Sequence, residues 1–318
     1  MSKKIKVAVL GYGHLGKWHC QKVDALAQSE LYAIVEKFPA NQEAAKQNHP
    51  HAKIVADISE VINEIEAAVI VTPTSSHYEL ADYLLKNKKH VFCEKPLCAF
   101  YEEVLRLENN VDENLVLQVG HSERCHKAWE ELAGEIAKIK SQWTLKINRV
   151  AAFKGRATDV DVVQDLMIHD IDLLLYVMKK NPISLRAYGN KIRTNKWDSA
   201  TAEFHFEDGS VALLTAGRNH VKEIRDFEIM HDGGCLYVDL FKNEYALAPH
   251  DSFEDGSFVK TSSYEKRDHL LIEQERFYLS ILEKKPIMVN FEDGKKAVYL
   301  IEKVLESLNT QKEVKLAL

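Results

Sequence analysis

The run Gly11-Tyr12-Gly13-His14-Leu15-Gly16 follows an apolar stretch and opens a helical pattern. That setting lets a glycine loop bring its backbone against a pyrophosphate. Gly11 permits the tight turn, Gly13 lets the phosphates come close, and Gly16 lets helix pack on strand. The helix N-terminus then offers unpaired N–H groups and partial positive charge to the anion. Gly11, Gly13, His14, Leu15 and Gly16 are therefore assigned to a cofactor. Glu36 stands 20 positions after Gly16, at the end of a second apolar run. A carboxylate there accepts hydrogen bonds from both ribose hydroxyls of NAD and repels a 2′-phosphate. The competing reading of Glu36 is an exposed loop charge. Lys37 beside it could tolerate NADP, so NAD is the expected cofactor with NADP left open.

A second constellation is Asp165, His169 and Asp172. Asp165 and His169 are i and i+4 on one helical pattern and share a face, with Asp172 at i+7. The residues between them are apolar nearly all round, so this helix is expected to be buried. Three readings of His169 remain at this point. It could be a general base oriented by Asp165, since imidazole titrates near neutrality. It could be a satisfied core histidine. It could be a metal ligand, which neither an H-E-x-x-H motif nor a cysteine supports, and no metal is expected. Lys95 follows a strand pattern, where open α/β sheets place their ligands; a solvated surface lysine is the alternative. Thr72, Pro73 and His77 follow another strand end and would line the cofactor, with a place near a helix N-cap equally open for His77. Arg124, Lys154 and Arg156 could grip a diphosphate, because cations match phosphate oxygens; surface ion pairs are the competing reading. His121, His126 and His205 are read as structural or surface residues, and Trp143 as core.

The elements that must position these residues change character along the chain. Strand patterns at 4–10, 31–35, 53–55, 67–71, 90–93 and 115–119 alternate with helical patterns at 14–28, 41–48, 59–65, 76–87 and 99–110. That alternation requires crossover connections and a mostly parallel sheet. Beyond Gly120 a helix at 127–137 leads to a strand-rich run at 143–153 and the apolar helix at 165–179. Strand patterns then follow at 183–192, 200–206, 211–215, 227–230 and 236–240 without intervening helices, which means an antiparallel sheet. Helices at 269–282 and 295–308 close the chain. The fold class is α/β: a Rossmann domain over 1–121, then an α+β domain over 122–318 with an open, mainly antiparallel sheet. The cleft between them is the expected site.

Composition narrows the class further. Lys and Arg number 42 against 48 Asp and Glu, a net charge of −6, which argues against a nucleic-acid or membrane-surface binder. Hydrophobic residues make up 46%, enough for a sizeable core. The five cysteines are odd in number and form no C-x-x-C, so neither a disulfide framework nor a zinc ribbon is suggested. No signal-like segment opens the sequence, and a cytoplasmic protein is expected. An open sheet face is an apolar patch that calls for a partner, so a homodimer or homotetramer is expected.

Cys93-Glu94-Lys95-Pro96, preceded by Val71-Thr72-Pro73-Thr74-Ser75-Ser76-His77, resembles the Gfo/Idh/MocA family of NAD(P)-dependent sugar and polyol oxidoreductases. The first loop, extended to His19, and Asp165-Leu166-Met167-Ile168-His169-Asp170-Ile171-Asp172 resemble the family as well, over nearly the whole chain. The resemblance implies that Glu94 and Lys95 lie at the cofactor and that Lys95 lies at the nicotinamide and the substrate hydroxyl. A cation there would stabilise a developing alkoxide. It also implies that His169 removes the proton and Asp165 orients it and faces the substrate. The stretches 119–124 and 159–164 resemble the branch that oxidises the 3-hydroxyl of UDP-N-acetylglucosamine, with an aminotransferase as downstream partner. Cys125-His126-Lys127 departs from that branch, where Phe-Asn-Pro is the pattern. Free-sugar or inositol dehydrogenases, and cofactor-sensing regulators, are the other readings.

Overall fold

The computed structural model describes residues 3–155 and 157–318. Contacts divide the chain into two units, Met1–Ser122 with Asp268–Val298, and Glu123–Arg267 with Tyr299–Leu318.

In the first unit, strands β1 (Ile5–Leu10), β2 (Ser29–Val35), β3 (Lys53–Val55), β4 (Ala67–Ile70), β5 (His90–Glu94) and β6 (Leu117–Gly120) form one sheet. Its order is β3-β2-β1-β4-β5-β6, with every pair parallel. Helices α1 (His14–Ala25), α2 (Pro39–Asn48), α3 (His77–Lys86) and α4 (Tyr101–Glu108) make the crossovers. Side chains on β1 alternate between the two faces, as strand geometry requires. Val7 and Val9 join one buried cluster, with Cys20, Val23 and Phe92. Ala8 and Leu10 join the other, with Ala81, Leu84 and Val104. Burial on both faces explains why these strands are continuous apolar runs.

Residues 268–298, expected with everything after 121 in the second domain, belong to the first unit. The reason is core packing: Phe277 and Tyr278 on helix α8 (His269–Glu283) are fully buried in the Val7–Val9 cluster. Val298, on helix α9 (Phe291–Thr310), joins the opposite cluster. The helix expected at 59–65 is only a 3₁₀ turn, Ile58–Glu60, closed by a capping box between Asp57 and Glu60.

In the second unit, helices α5 (Ala128–Glu131) and α6 (Ala133–Lys138) replace the single helix expected at 127–137. Strands β7 (Trp143–Val150), β8 (Ser184–Asn190), β9 (Ser199–His205), β10 (Val211–Gly217), β11 (Ile224–His231), β12 (Gly234–Asp239), β13 (Glu244–Pro249), β14 (Lys260–Ser263) and β15 (Val314–Lys315) form a nine-stranded sheet. Its order is β14-β13-β12-β11-β7-β10-β9-β8-β15. The β7–β10 pair is parallel and the others are antiparallel. On β9 and β10 every second residue is buried: Ala200, Ala202 and Phe204, then Ala212, Leu214 and Ala216. β13, β14 and β15 were not expected; β14 is polar Lys-Thr-Ser-Ser and carries no alternation to read. The apolar helix begins as a π-helix, Val163–Met167, and continues as α7 (Ile168–Met178). Among the described residues, no helix is long and apolar enough to cross a membrane.

Candidate active site

The glycine loop leaves β1 where the order of the sheet reverses between β1 and β4, the place where such sheets bind ligands. Gly11 has φ +97°, and a Cβ there would lie 2.9 Å from the Val71 carbonyl oxygen. Gly16 faces Gly11 so closely that a Cβ would fall 2.1 Å from its carbonyl oxygen. By contrast, a Cβ on Gly13 would meet nothing within 4 Å, so that side of the loop is open. Gly13 caps α1 and is exposed, as are His14 and Leu15. The His14 ring leans on Trp18, centroids 5.2 Å apart.

Glu36 ends β2 beside this loop. Its Oε2 accepts the Tyr12 N–H at 2.8 Å and Asn41 Nδ2 at 3.2 Å, and its Oε1 accepts the Phe38 N–H at 2.9 Å. Burial pushes this carboxyl up, but the backbone N–H groups of Phe38 and Tyr12, with Asn41 and Lys37, together hold it below its usual value. It is therefore anionic at neutral pH. Oε1 keeps acceptor capacity for a ribose hydroxyl, since an ionised carboxylate oxygen can take two bonds. An open glycine cradle beside a held carboxylate fits a dinucleotide.

Thr72 follows β4, with its hydroxyl accepting from Ser76 Oγ at 2.7 Å, and Pro73 is exposed. His77 opens α3, the helix-terminus place that stood as the alternative to lining the cofactor. It is buried, with Nδ1 2.8 Å from the Pro96 carbonyl and Nε2 2.9 Å from the Thr72 carbonyl. Its ring bridges the loops after β4 and β5 and is not turned to solvent. At the end of β5, Glu94 is buried while Lys95 is half-buried. Glu94 Oε1 faces His19 Nε2 at 2.9 Å, and Oε2 accepts the Lys95 backbone N–H at 3.2 Å. Gln274 Nε2 lies 2.6 Å from His19 Nδ1, and the Tyr278 hydroxyl donates to Gln274 Oε1 at 3.0 Å. Burial raises the Glu94 carboxyl, but His19 and Lys95 bring it below its usual value.

In the second unit, Asp165 lies in the π turn and His169 in the first turn of α7, each half-buried. The helix start is tied down by the Trp197 N–H donating to Asp161 Oδ1 at 2.6 Å. The preceding loop is held by Arg218, which donates to the carbonyls of Ala157 and Val160 and pairs through Nε with Asp198 Oδ1 at 2.7 Å. Beside His169 is a buried network that spacing did not reveal. Arg149 donates from Nη1 to Glu123 Oε1 at 3.0 Å and from Nε to Asp170 Oδ1 at 2.9 Å. Glu123 also faces His126 Nε2 at 3.2 Å, and His126 Nδ1 faces the Tyr264 hydroxyl at 3.1 Å. Burial pushes Glu123 up, yet Arg149, His126 and His169 hold it well below the usual carboxylate range. Asp170 Oδ2 is buried without a hydrogen-bond partner among the described residues. Burial, opposed by Arg149 and reinforced by Glu123, pushes Asp170 up to about 6.

The expected diphosphate cations are placed differently. Arg124 is buried and bidentate to Asp172, Nε to Oδ2 at 2.9 Å and Nη2 to Oδ1 at 2.6 Å, with its guanidinium 4.8 Å from the Tyr176 ring centroid. A guanidinium so enclosed is a core tie, and its planar fork already matches a carboxylate. Lys154 is exposed and paired with Glu223 at 3.2 Å. Arg156 lies outside the described residues. Residue order alone assigned no site contact to His19, Gln274, Glu123, Arg149, Asp170 or Arg218. The available signal was a charge inside an apolar run, as at Arg149 and Asp170, because a buried charge needs a partner.

A parallel sheet in this order, with the glycine cradle and the Glu36 carboxylate at its reversal, defines an NAD-binding Rossmann oxidoreductase domain. The family model described as "Oxidoreductase family, NAD-binding Rossmann fold" matches residues 5–121, and the "GFO/IDH/MocA C-terminal domain" matches 130–237. The UDP-N-acetylglucosamine 3-dehydrogenase of Acidithiobacillus ferrooxidans is 31% identical over 301 residues, 92% of this chain and 94% of the relative. A solved structure of an enzyme of that name from the same organism superposes with a TM-score of 0.88 at 29% identity, over 97% of this chain and 99% of that one. The myo-inositol 2-dehydrogenase of Thermotoga maritima is 25% identical over 332 residues, 98% of each chain. The chain belongs to the Gfo/Idh/MocA oxidoreductase family. It is an NAD(P)-dependent dehydrogenase acting on a sugar or polyol hydroxyl.

Proposed function

We propose that this enzyme oxidises the 3-hydroxyl of UDP-N-acetylglucosamine, or of a close sugar nucleotide, to the 3-keto sugar. The observation that carries the substrate is the 31% identity over 92% of the chain to a dehydrogenase of that name. NAD, when bound, supplies the hydride acceptor. His169 takes the hydroxyl proton, Asp165 orients its imidazole, and Lys95 stabilises the oxyanion as the carbonyl forms. Glu94 holds the Lys95 backbone, and the anionic Glu123 favours the imidazolium that His169 becomes. A homodimer or homotetramer would cover the half-buried residues of β9, β10 and β13. The ketone is withdrawn by an aminotransferase.

A second reading is oxidation of inositol or a free sugar. It is favoured by the pairing of Arg124 with Asp172 and of Lys154 with Glu223, which engages two cations expected for a diphosphate. The T. maritima relative carries a name of that kind.

NADH formation from NAD, measured across UDP-sugars, inositols and free hexoses, separates the two. A small burst with UDP-N-acetylglucosamine is expected, growing when an amino donor and a 3-transaminase are added. Faster oxidation of inositol or a free hexose overturns the substrate. His169→Asn should lower kcat by about 10²–10⁴ with NAD affinity little changed, and Asp165→Asn should be milder. Full activity in His169→Asn removes the general-base role.

A further inference from the structure

We propose that Asp24, His49 and His51 form a binding site for a divalent transition metal, with zinc the reference ion. None of the three takes part in the hydride chemistry. Asp24 lies in the last turn of α1, while His49 follows α2 and is separated from His51 by Pro50. His49 Nδ1 lies 2.8 Å from Asp24 Oδ2, and His51 Nε2 lies 2.9 Å from Asp24 Oδ1. The three donor atoms all fall within 4.8 Å of one another.

Two imidazole nitrogens and a carboxylate oxygen form a three-ligand zinc set, with the fourth position left to water. Metal–ligand bonds of about 2.0–2.2 Å in a tetrahedron hold donor atoms roughly 3.3 Å apart. The two His–Asp separations, one to each carboxylate oxygen, would open by a few tenths of an ångström, and the widest separation in the set, at most 4.8 Å, would close toward that value. Charge favours the exchange. Among the described residues, the Asp24 carboxylate meets these two ring nitrogens and no lysine or arginine. A dication replaces two N–H···O bonds with two N–metal bonds and an O–metal bond. Each neutral ring then carries its proton on the other nitrogen, with no change in oxidation state.

The frame is rigid on one side and open on the other. His49 is buried; its N–H donates to the Ala45 carbonyl at 2.8 Å, and its carbonyl accepts the Ala52 N–H at 3.0 Å. The Tyr12 ring meets it edge-on, with centroids 5.8 Å apart. The His51 side chain is 54% exposed, which gives the ion an entry path. Asn48 donates to the Tyr12 hydroxyl at 3.2 Å, and the Tyr12 N–H holds Glu36. The site therefore stands behind the ribose end of the glycine loop, and a bound ion would brace α1 against the turn after α2.

The test is equilibrium dialysis of the chelator-stripped full chain against zinc near neutral pH, with metal content and thermal midpoint as readouts. The wild type should retain about one zinc per chain and melt higher with zinc. His51→Ala is the informative variant, because that ring is exposed and the fold does not depend on it. His51→Ala and Asp24→Asn should each bind zinc at least about tenfold more weakly and lose the thermal shift, whereas His220→Ala should match the wild type. Wild-type protein without zinc, or His51→Ala and Asp24→Asn retaining as much as wild type, overturns the proposal.

Discussion

The Glu94 carboxylate and the His19 imidazole meet at 2.9 Å in the interior of the first unit, with Gln274 completing the ring's contacts from the other side. This contact ties the first crossover helix, the end of β5 and a helix nearly two hundred residues later to the backbone of Lys95. His19→Leu would leave the buried carboxylate short of a partner. A loss of about 1–3 kcal/mol is expected in urea unfolding, with a lower kcat at unchanged Glu94 and Lys95. Wild-type stability and kcat in this variant would show that the contact does not position Lys95.

Glu36 is anionic because backbone N–H groups outweigh the cost of its burial. A 2′-phosphate would meet that charge at short range, so NAD should bind more tightly than NADP. Glu36→Ala should narrow the ratio about tenfold or more, read by nucleotide titration. Tighter binding of NADP by the wild type would displace Glu36 from the ribose.

Arg124→Ala tests the bidentate pairing of Arg124 with Asp172. It leaves an aspartate that is 1% exposed without its bidentate partner. Losing one member of such a pair costs about 3–5 kcal/mol, so the denaturant midpoint should fall sharply. A raised KM for UDP-sugar with unchanged stability would return Arg124 to the substrate.

Asp170 gives a pH dependence with a definite sign. Burial raises its carboxyl to about 6 in the folded chain, whereas an unfolded aspartate titrates near about 3.9. The folded state therefore binds the proton more tightly. This group's contribution is fully present below about pH 3.9 and is lost as pH rises through about 6, on the order of 3 kcal/mol in all. Asp170→Asn abolishes that loss, so the variant should gain on the wild type between about pH 4 and 7. Urea midpoints across that range check it, and a constant or oppositely moving difference would contradict it.

Much of the cofactor half was legible in residue order. Glycines at fixed spacing, apolar runs alternating with helical patterns, and Glu36 at the end of β2 are local signals. Backbone sterics and side-chain period alone suffice to read them. The return of Asp268–Val298 to the first unit was not legible, because Phe277 and Tyr278 look like any amphipathic helix until a sheet face selects them. The polar strand β14 and the short β15 carry no period and form only because a neighbouring strand offers hydrogen bonds.

The sequence by itself determined the class: which strands would be buried on both faces, where the glycine loop would fall, and that Asp165 and His169 would lie on one helix. Only the tertiary structure decided the partners of the charges. Arg124 belongs to Asp172, Arg149 is shared by Glu123 and Asp170, His77 joins two loops, and Asp24 gathers two histidines. Local order sets which face a side chain takes. A buried charge, however, is settled by whichever opposite group the fold brings within hydrogen-bond reach, from any distance along the chain.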